Sequence, residues 1–147
     1  MEHSKQTVAE QIREMYAGNW FMNQFGISID LIEWEHVIVS LQLKKEKHFN
    51  HRSVCHGGVL SALADSVTGV TGASAGAAVA TLNMNMSFIK SVKKECRLFV
   101  ESRVVHRGHT TMLISAEMYD EEGTRYATMT ASMFILKQFE FVSDRWE

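Results

Sequence analysis

The sequence contains no proline, and its 147 residues include only two cysteines, Cys55 and Cys96. Two cysteines exclude a disulfide framework of the kind that stabilises small secreted domains, and neither belongs to a Cys-x-x-Cys pair. Without proline, the turns have to be marked by glycine, asparagine and aspartate. Hydrophobic residues make up 46% of the chain, which is enough for one core, so we expect a single domain over residues 1–147.

Long apolar runs and an excess of basic charge are absent as well. No run approaches the length of a membrane span, and residues 1–16 alternate charged and polar side chains without the apolar core of a signal peptide. We therefore expect a cytoplasmic protein with no membrane partner. The net charge is −2 and the Lys and Arg residues are dispersed, which argues against a nucleic-acid partner. Any anion must be bound by a local group of cations.

Hydrophobic periodicity predicts two helices and six strands. Thr7 and Glu10 have the spacing of a capping box, which predicts a short amphipathic helix that stops at Gly18. We expect the aromatic residues that follow to seal an edge of the core: Trp20, Phe21 and Phe25. Alternation of apolar and polar residues then predicts strands at these positions: two within 27–43, and one each at about 79–90, 96–106, 110–119 and 124–136.

The order of these elements predicts an α+β fold in which an antiparallel sheet of about six strands wraps around one buried helix. In the strand at about 79–90, the alternation places Thr81 on a polar face with Asn83 and Asn85. Met84 and Met86 lie on the opposite, apolar face. The polar row is expected to face solvent, a wet cavity or a subunit contact.

The buried helix carries the most informative pattern. His56, Gly57 and Gly58 open it, and it is apolar on most sides except for Asp65. A carboxylate on so apolar a helix needs a reason, and we expect the apolar neighbours to cover it. Small or polar residues surround Asp65 at helical spacing and predict a strip where a second helix or a substrate can approach: Ser61, Ala62, Thr68, Gly69 and Gly72. The small residues at 72–78 are expected to form a loose segment that ends the helix.

The first helical amides, at Gly57 and Gly58, have no helical acceptor and can hold an oxyanion. Such a donor is commonly worth about 3–4 kcal/mol of transition-state stabilisation. Asp65 lies eight residues further on, which is about 12 Å of helix, too far for its carboxylate to act at Gly57 of the same chain. We therefore predict a dimer with two antiparallel helices, in which Asp65 of one chain faces Gly57 of the other.

The residues Asn50, His56, Gly57, Gly58 and Asp65, at these spacings, resemble the motif of the hotdog-fold acyl-CoA thioesterases. The resemblance is to the PaaI-like branch of the 4-hydroxybenzoyl-CoA thioesterase superfamily. It implies a hotdog fold, hydrolysis of an acyl-CoA without cofactor or metal, and a homodimer assembled into a homotetramer. The acyl group, whether aryl or medium-chain fatty acyl, stays open.

The resemblance also implies roles for single residues. Asp65 corresponds to the general base or nucleophile, and Gly57 to the oxyanion donor, with Gly58 beside it at the substrate. Asn50 is similar to the residue that places the attacking water or the thioester. His56 resembles a residue that contacts the thioester carbonyl or braces the loop. Thr81 corresponds to a strand position where a related type of enzyme has a hydroxyl near the lytic water.

Coenzyme A also needs phosphate contacts. The turn that contains Arg107 and His109 is similar to a basic turn near the nucleotide in relatives, and three lysines are further candidates: Lys90, Lys93 and Lys94. The sequence departs from the family pattern at Ser53, where many relatives have glycine, and at Ser91, where many have proline. Glycine is favoured where the backbone is left-handed, so Ser53 is expected to affect the Asn50 loop.

Four other hypotheses use the same residues. Cys55 beside His56 has the form of an activated thiol with its base. His48, His51 and His56 could suggest a metal site, although no fourth ligand is evident. Dehydration or hydration of an acyl thioester would need a His base aligned with the carboxylate. A non-catalytic acyl-CoA-binding module is the last alternative.

Overall fold

The computed structural model describes residues 5–143 and 145–147, and its elements follow the predicted order with two additional short helices. The helices are α1 (Val8–Ala17), α2 (Trp20–Phe25), α3 (Lys45–His48) and α4 (Gly57–Ser74). The strands are β1 (Ser28–Glu33), β2 (His36–Gln42), β3 (Ala77–Phe88), β4 (Arg97–Arg107), β5 (Thr111–Asp120) and β6 (Arg125–Gln138).

The six strands form one antiparallel sheet in the order β1-β2-β4-β5-β6-β3. The sheet curves around α4, which packs mainly against β3, β2 and β4. Leu63, Val67 and Val70 on α4 are fully buried against it. This arrangement confirms the predicted α+β architecture. None of the helices in the described part of the chain is long and apolar enough to cross a membrane.

The predicted capping box of α1 is confirmed. The Glu10 amide donates to Thr7 Oγ1 at 3.2 Å, and the Thr7 amide donates to Glu10 Oε2 at 2.7 Å. The helix ends with Gly18 as its C-cap, and its residue Tyr16 packs against Gly69 of α4. A β-carbon added to Gly69 would lie 2.9 Å from the Tyr16 hydroxyl. Burial raises the pKa of Tyr16 to about 12.

The strip of small residues on α4 is therefore open only in part. Tyr16 covers it at Gly69, and Val79 of β3 covers it at Gly72, both from the same chain. A second helix does approach the strip, as predicted, because α1 places Tyr16 against Gly69. The open part lies around Asp65.

The prediction that three aromatic residues seal the core is wrong for two of them. Trp20 is 87% exposed and Phe21 is 48% exposed. The next residue, Met22, is buried. The segment forms a short helix, and the helical period directs Met22 to the core and Trp20 to solvent. Phe25 is half-buried.

The small residues at 72–78 do end α4, as predicted, but the prediction that this segment is loose is wrong. α4 continues to Ser74, and β3 begins at Ala77 after a turn at Gly76, whose φ is +87°. These small residues are buried rather than mobile surface, because β3 runs close to the end of the helix. The amides of Ala75 and Gly76 donate to the carbonyls of the last turn of α4, and the Trp146 indole N–H donates to Ser74 O at 2.7 Å.

We predict that Gly72→Ala lowers the free energy of unfolding by about 1–3 kcal/mol, because the core has no room for one more methyl. The new Cβ would lie 2.5 Å from Val79 Cγ2. Gly18→Ala is the control, since it meets no heavy atom within 4 Å. Urea unfolding followed by circular dichroism measures both, and equal stabilities would contradict the close packing.

Candidate active site

The N-terminus of α4 is held by the side chain of His56. His56 is the N-cap, and its Nδ1 accepts the Gly58 amide proton at 2.9 Å. An Nδ1 that accepts a hydrogen bond leaves the proton of the neutral ring on Nε2. Of the two roles that the family resemblance implies for His56, this contact fits the bracing of the loop. The Gly58 amide already has an acceptor, so it is a poor candidate for a substrate contact.

Gly57 has a different environment. Its N–H has no acceptor among the described residues. It lines a cleft of about 270 Å³, which we call the Gly57 cleft, together with Leu60, Phe88, Lys90 and Val92 among others. A β-carbon on Gly57 would lie 3.6 Å from the Phe88 ring, in ordinary contact. An unpaired helical amide at the wall of a cleft is suited to binding an oxyanion.

Asn50 shapes the loop before α4. Its Oδ1 accepts from the Arg52 amide at 2.9 Å and from the Val54 amide at 3.3 Å. Ser53 within this loop has φ +59°, the left-handed region that favours glycine. The serine found where many relatives have glycine thus keeps the backbone conformation at a cost in strain. In this arrangement Asn50 is first of all a positioning residue.

Asp65 lies two turns along α4. Its neighbours Leu63, Ala64 and Val67 are fully buried, but Asp65 itself is exposed. The expectation that apolar residues cover the carboxylate is wrong for the single chain, because Asp65 faces the side of α4 that the sheet leaves open. The Thr81 hydroxyl donates to Asp65 Oδ1 at 3.0 Å.

A β-bulge brings Thr81 to this carboxylate. Thr81 pairs with Met133 and Asn83 pairs with Ser132, so that Leu82 is an extra residue in β3. Met133 is buried on the helix side of the sheet, and cross-strand partners share a face, so Thr81 faces the helix too. The prediction that Thr81 shares a face with Asn83 and Asn85 is therefore wrong, although Thr81 is exposed as they are. No glycine marks this bulge in the sequence.

The structure does not bring Arg107 and His109 to the other candidate residues. The Arg107 guanidinium donates to Ala75 O and to Gln138 Oε1, at the C-terminal end of α4. Since α4 is 18 residues or about 27 Å long, this end is far from Gly57. His109 is exposed in the adjacent turn.

Lys90 is the lysine that lines the Gly57 cleft. Lys94 instead pairs with Glu122 at 3.3 Å on the surface.

The structure does not support two of the other hypotheses, an activated thiol at Cys55 and a histidine metal site. Cys55 is 5% exposed, and burial raises the pKa of its thiol to about 11, so the thiolate needed for nucleophilic attack is scarce near neutral pH. His48 Nδ1 accepts the Lys44 amide proton at 2.9 Å, and burial lowers the pKa of His48. Within the described residues, no group of three His, Cys, Asp or Glu side chains is placed to hold a metal ion.

Comparison with known proteins identifies the family. The family model described as "Thioesterase superfamily" matches residues 53–127, which include the α4 motif and four of the six strands in whole or in part. The chain belongs to the thioesterase superfamily. This thioesterase is a thioester hydrolase, as predicted. A curated relative, a candidate esterase of Archaeoglobus fulgidus, is 25% identical over 108 residues, which are 73% of this chain and 70% of that protein.

Solved structures confirm the hotdog fold. The Escherichia coli PaaI protein from the phenylacetic acid degradation operon superposes with a TM-score of 0.84 at 20% identity, covering 90% of this chain and 95% of that one. A hypothetical thioesterase of Streptococcus pneumoniae, solved with coenzyme A, superposes with a TM-score of 0.73 at 26% identity. That match covers 78% of this chain and 91% of the pneumococcal one. Two further structures of the pneumococcal protein carry an aspartate-to-alanine and a threonine-to-alanine change, sixteen residues apart.

We predict that Ser53→Gly raises the free energy of unfolding by about 0.5–1 kcal/mol, because glycine adopts the left-handed backbone without strain. Ser66→Gly is the matched control. It should lower the free energy of unfolding by about 0.5–1 kcal/mol, because a glycine inside α4 destabilises the helix. Thermal unfolding of both variants measures the difference. A loss of stability in Ser53→Gly would show that the loop backbone is not strained.

Proposed function

We propose that this thioesterase hydrolyses acyl-CoA. In this proposal Asp65 is the reactive carboxylate and the Gly57 amide is the oxyanion donor. The two groups of one site come from different subunits of a dimer. The pairing of Asp65 with Thr81 carries the proposal. The exposed Asp65 carboxylate lies on a helix that is buried over most of its length, and its Oδ1 accepts a hydrogen bond at 3.0 Å from a hydroxyl that a β-bulge directs towards it. A carboxylate in this setting is oriented, solvated and able to take a proton.

The comparisons support the same pair. The pneumococcal protein was solved with coenzyme A, and its altered aspartate and threonine are sixteen residues apart, as are Asp65 and Thr81. At 26% identity over 78% of this chain, we infer a common acyl-CoA substrate class.

A dimer follows from distance and from the open edge of the sheet. Asp65 and Gly57 lie about 12 Å apart along α4, too far to act on one carbonyl carbon. β3 is an edge of the sheet, and Leu82 at this edge is 60% exposed. A long edge strand with exposed apolar side chains is a template for pairing with a second copy. Two β3 strands related by a twofold axis would bring Asp65 near Gly57 of the partner subunit.

One route uses Asp65 as a general base. The carboxylate takes a proton from water while the water oxygen attacks the thioester carbon, and the carbonyl oxygen becomes an oxyanion at the Gly57 amide. The intermediate then collapses, the carbon–sulfur bond breaks, and the CoA thiolate takes the proton back from Asp65. The products are a free acid and CoA.

The second route uses Asp65 as a nucleophile. Its oxygen attacks the thioester carbon and expels CoA as the thiolate, leaving a mixed anhydride that water hydrolyses to the acid and the restored carboxylate. The geometry is compatible with both routes. The Gly57 amide stabilises the same oxyanion in each.

The Gly57 cleft suits an apolar acyl group, since Leu60, Phe88 and Val92 line it. Both aryl and medium-chain groups remain in the proposal. Dehydration is disfavoured because His56 uses Nδ1 to cap α4 and is not aligned with Asp65. The proposed enzyme is a homodimer, and we propose further that dimers assemble into a homotetramer.

We predict that Asp65→Asn lowers the rate of acyl-CoA hydrolysis by about 10²–10⁴, because the amide keeps the shape but cannot take a proton or attack. Asp30→Asn, a change at an exposed aspartate on β1, is the control and should leave the rate unchanged. The assay follows released thiol over a panel of aryl- and fatty-acyl-CoA substrates. Near-normal rates in Asp65→Asn would refute the role of this carboxylate.

We predict that Gly57→Pro lowers kcat by about 10²–10³, because proline removes the N–H that binds the oxyanion. Proline is tolerated at the first position of a helix, and the extended backbone of His56, with φ −64° and ψ 132°, is compatible with a following proline. Gly57→Ala keeps the N–H and makes only ordinary contact with Phe88, so it should have a much smaller effect. Equal rates in the two variants would exclude the amide as the donor.

A further inference from the structure

A second cleft, of about 490 Å³, lies where β2 ends and α3 begins. β1 starts at Ser28, which pairs with Ser40 of β2. The last residues of β2, up to Gln42, therefore extend past the start of β1 and have no partner there. Gly26, with φ +76°, turns the chain so that α2 faces this uncovered part of β2. The space between α2, β2 and α3 is the cleft, which we call the basic cleft.

Three cations line the basic cleft: Lys44, Lys47 and Arg97. Among the described residues no carboxylate lines it, although the chain as a whole has a net charge of −2. Three acids lie beside the cleft: Glu46 on α3 acts electrostatically on His48, and Glu95 and Glu121 accept hydrogen bonds from the backbone amides of Lys45 and Arg97. The positive charge is therefore concentrated in the cleft against the overall charge of the protein.

The arginine of the cleft is held in position. One Arg97 N–H donates at 2.7 Å to the hydroxyl of Ser40, which is fully buried. A guanidinium has five N–H donors in a fixed plane, so a ligand can still be bound by the others. Buried His48 also lines the cleft, and because its Nδ1 accepts from the Lys44 amide, its neutral ring has an N–H at Nε2 to donate. Charged and neutral donors together suit a phosphate group.

The remaining lining residues suit the rest of a nucleotide. Phe25, half-buried, supplies an aromatic ring on which a base can stack. Gln24 and Gln42 supply side-chain amides, which can donate to and accept from the edge of a base.

A backbone hydrogen bond links the wall of the basic cleft to the start of α4. The amide of His56, the N-cap of α4, donates to the carbonyl oxygen of His48 at 2.8 Å. The wall of the cleft and the residue before Gly57 are thus hydrogen-bonded neighbours. A ligand with its phosphates in the cleft and a flexible arm passing over α3 would reach the helix N-terminus.

We propose that the basic cleft binds the phosphorylated nucleotide end of coenzyme A while the thioester lies at Gly57. This rests on the proposed function, and it replaces Arg107 and His109 as the phosphate contacts. It also assigns Lys44 and Lys47 a role that their exposure alone would not suggest.

The test compares Lys47→Gln with Lys45→Gln, which removes the same charge from the same helical turn at a residue that does not line the cleft. Each variant is assayed with an acyl-CoA and with the same acyl group on pantetheine. In Lys47→Gln we expect KM for the acyl-CoA to rise about fivefold or more with kcat unchanged. KM for the acyl-pantetheine should not change, and Lys45→Gln should match the wild type with both substrates.

An unchanged KM in Lys47→Gln, or an equal rise with both substrates, would overturn the assignment while leaving acyl-CoA hydrolysis intact. If the wild type hydrolyses neither substrate, the proposed function fails, and calorimetric titration with free CoA and with pantetheine then decides about the cleft. Tighter binding of CoA that is lost in Lys47→Gln supports the cleft; equal affinities overturn it. Competition by inorganic phosphate as strong as that by adenosine 3′,5′-bisphosphate would also overturn it, since the site would then hold a free anion.

Discussion

The rigidity of α4 holds the Gly57 amide and Asp65 at a separation of about 12 Å, and the proposed chemistry depends on this separation. A helix cannot bend enough over two turns to bring both groups to one carbon atom. In the proposed reaction, another copy of the chain supplies the missing half of the site at each end. The open β3 edge beside Asp65 offers the surface on which that copy would pair.

The same helix has to be buried and yet present a charge. The sheet covers most of its circumference, and within the chain Tyr16 and Val79 cover the strip at Gly69 and Gly72. The open region around Asp65 is what remains after these contacts. Small residues on α4 thus serve close packing along most of the helix, and access to the carboxylate at one place only.

The general architecture could be predicted from the sequence because it depends on local patterns. The capping box at Thr7 and the alternation along the strands report directly on hydrogen bonding and burial. The family resemblance implied a site role for Thr81, but strand alternation put Thr81 on the wrong face, since Leu82 is an extra residue in β3 and no residue type marks the bulge. The exposure of Trp20 was missed because a six-residue helix is too short for a clear period.

The site residues divide in the same way. Gly57, Asn50 and His56 lie in one loop and helix start, so their proximity follows from the sequence. The contacts of Arg107 depend on where β4 ends relative to α4, which is a property of the whole sheet. The cations of the basic cleft come from α3, from its N-cap Lys44 and from β4, and they become neighbours only through strand pairing.

Hybrid dimers test the shared site most directly. A chain with Asp65→Asn and a differently tagged chain with Gly57→Pro are co-expressed, and dimers that contain one of each are purified through both tags. If the site is shared, each hybrid keeps one intact site, and its turnover of acyl-CoA should recover to about half of the wild-type value. Hybrids as inactive as either parent would contradict a site built from two subunits.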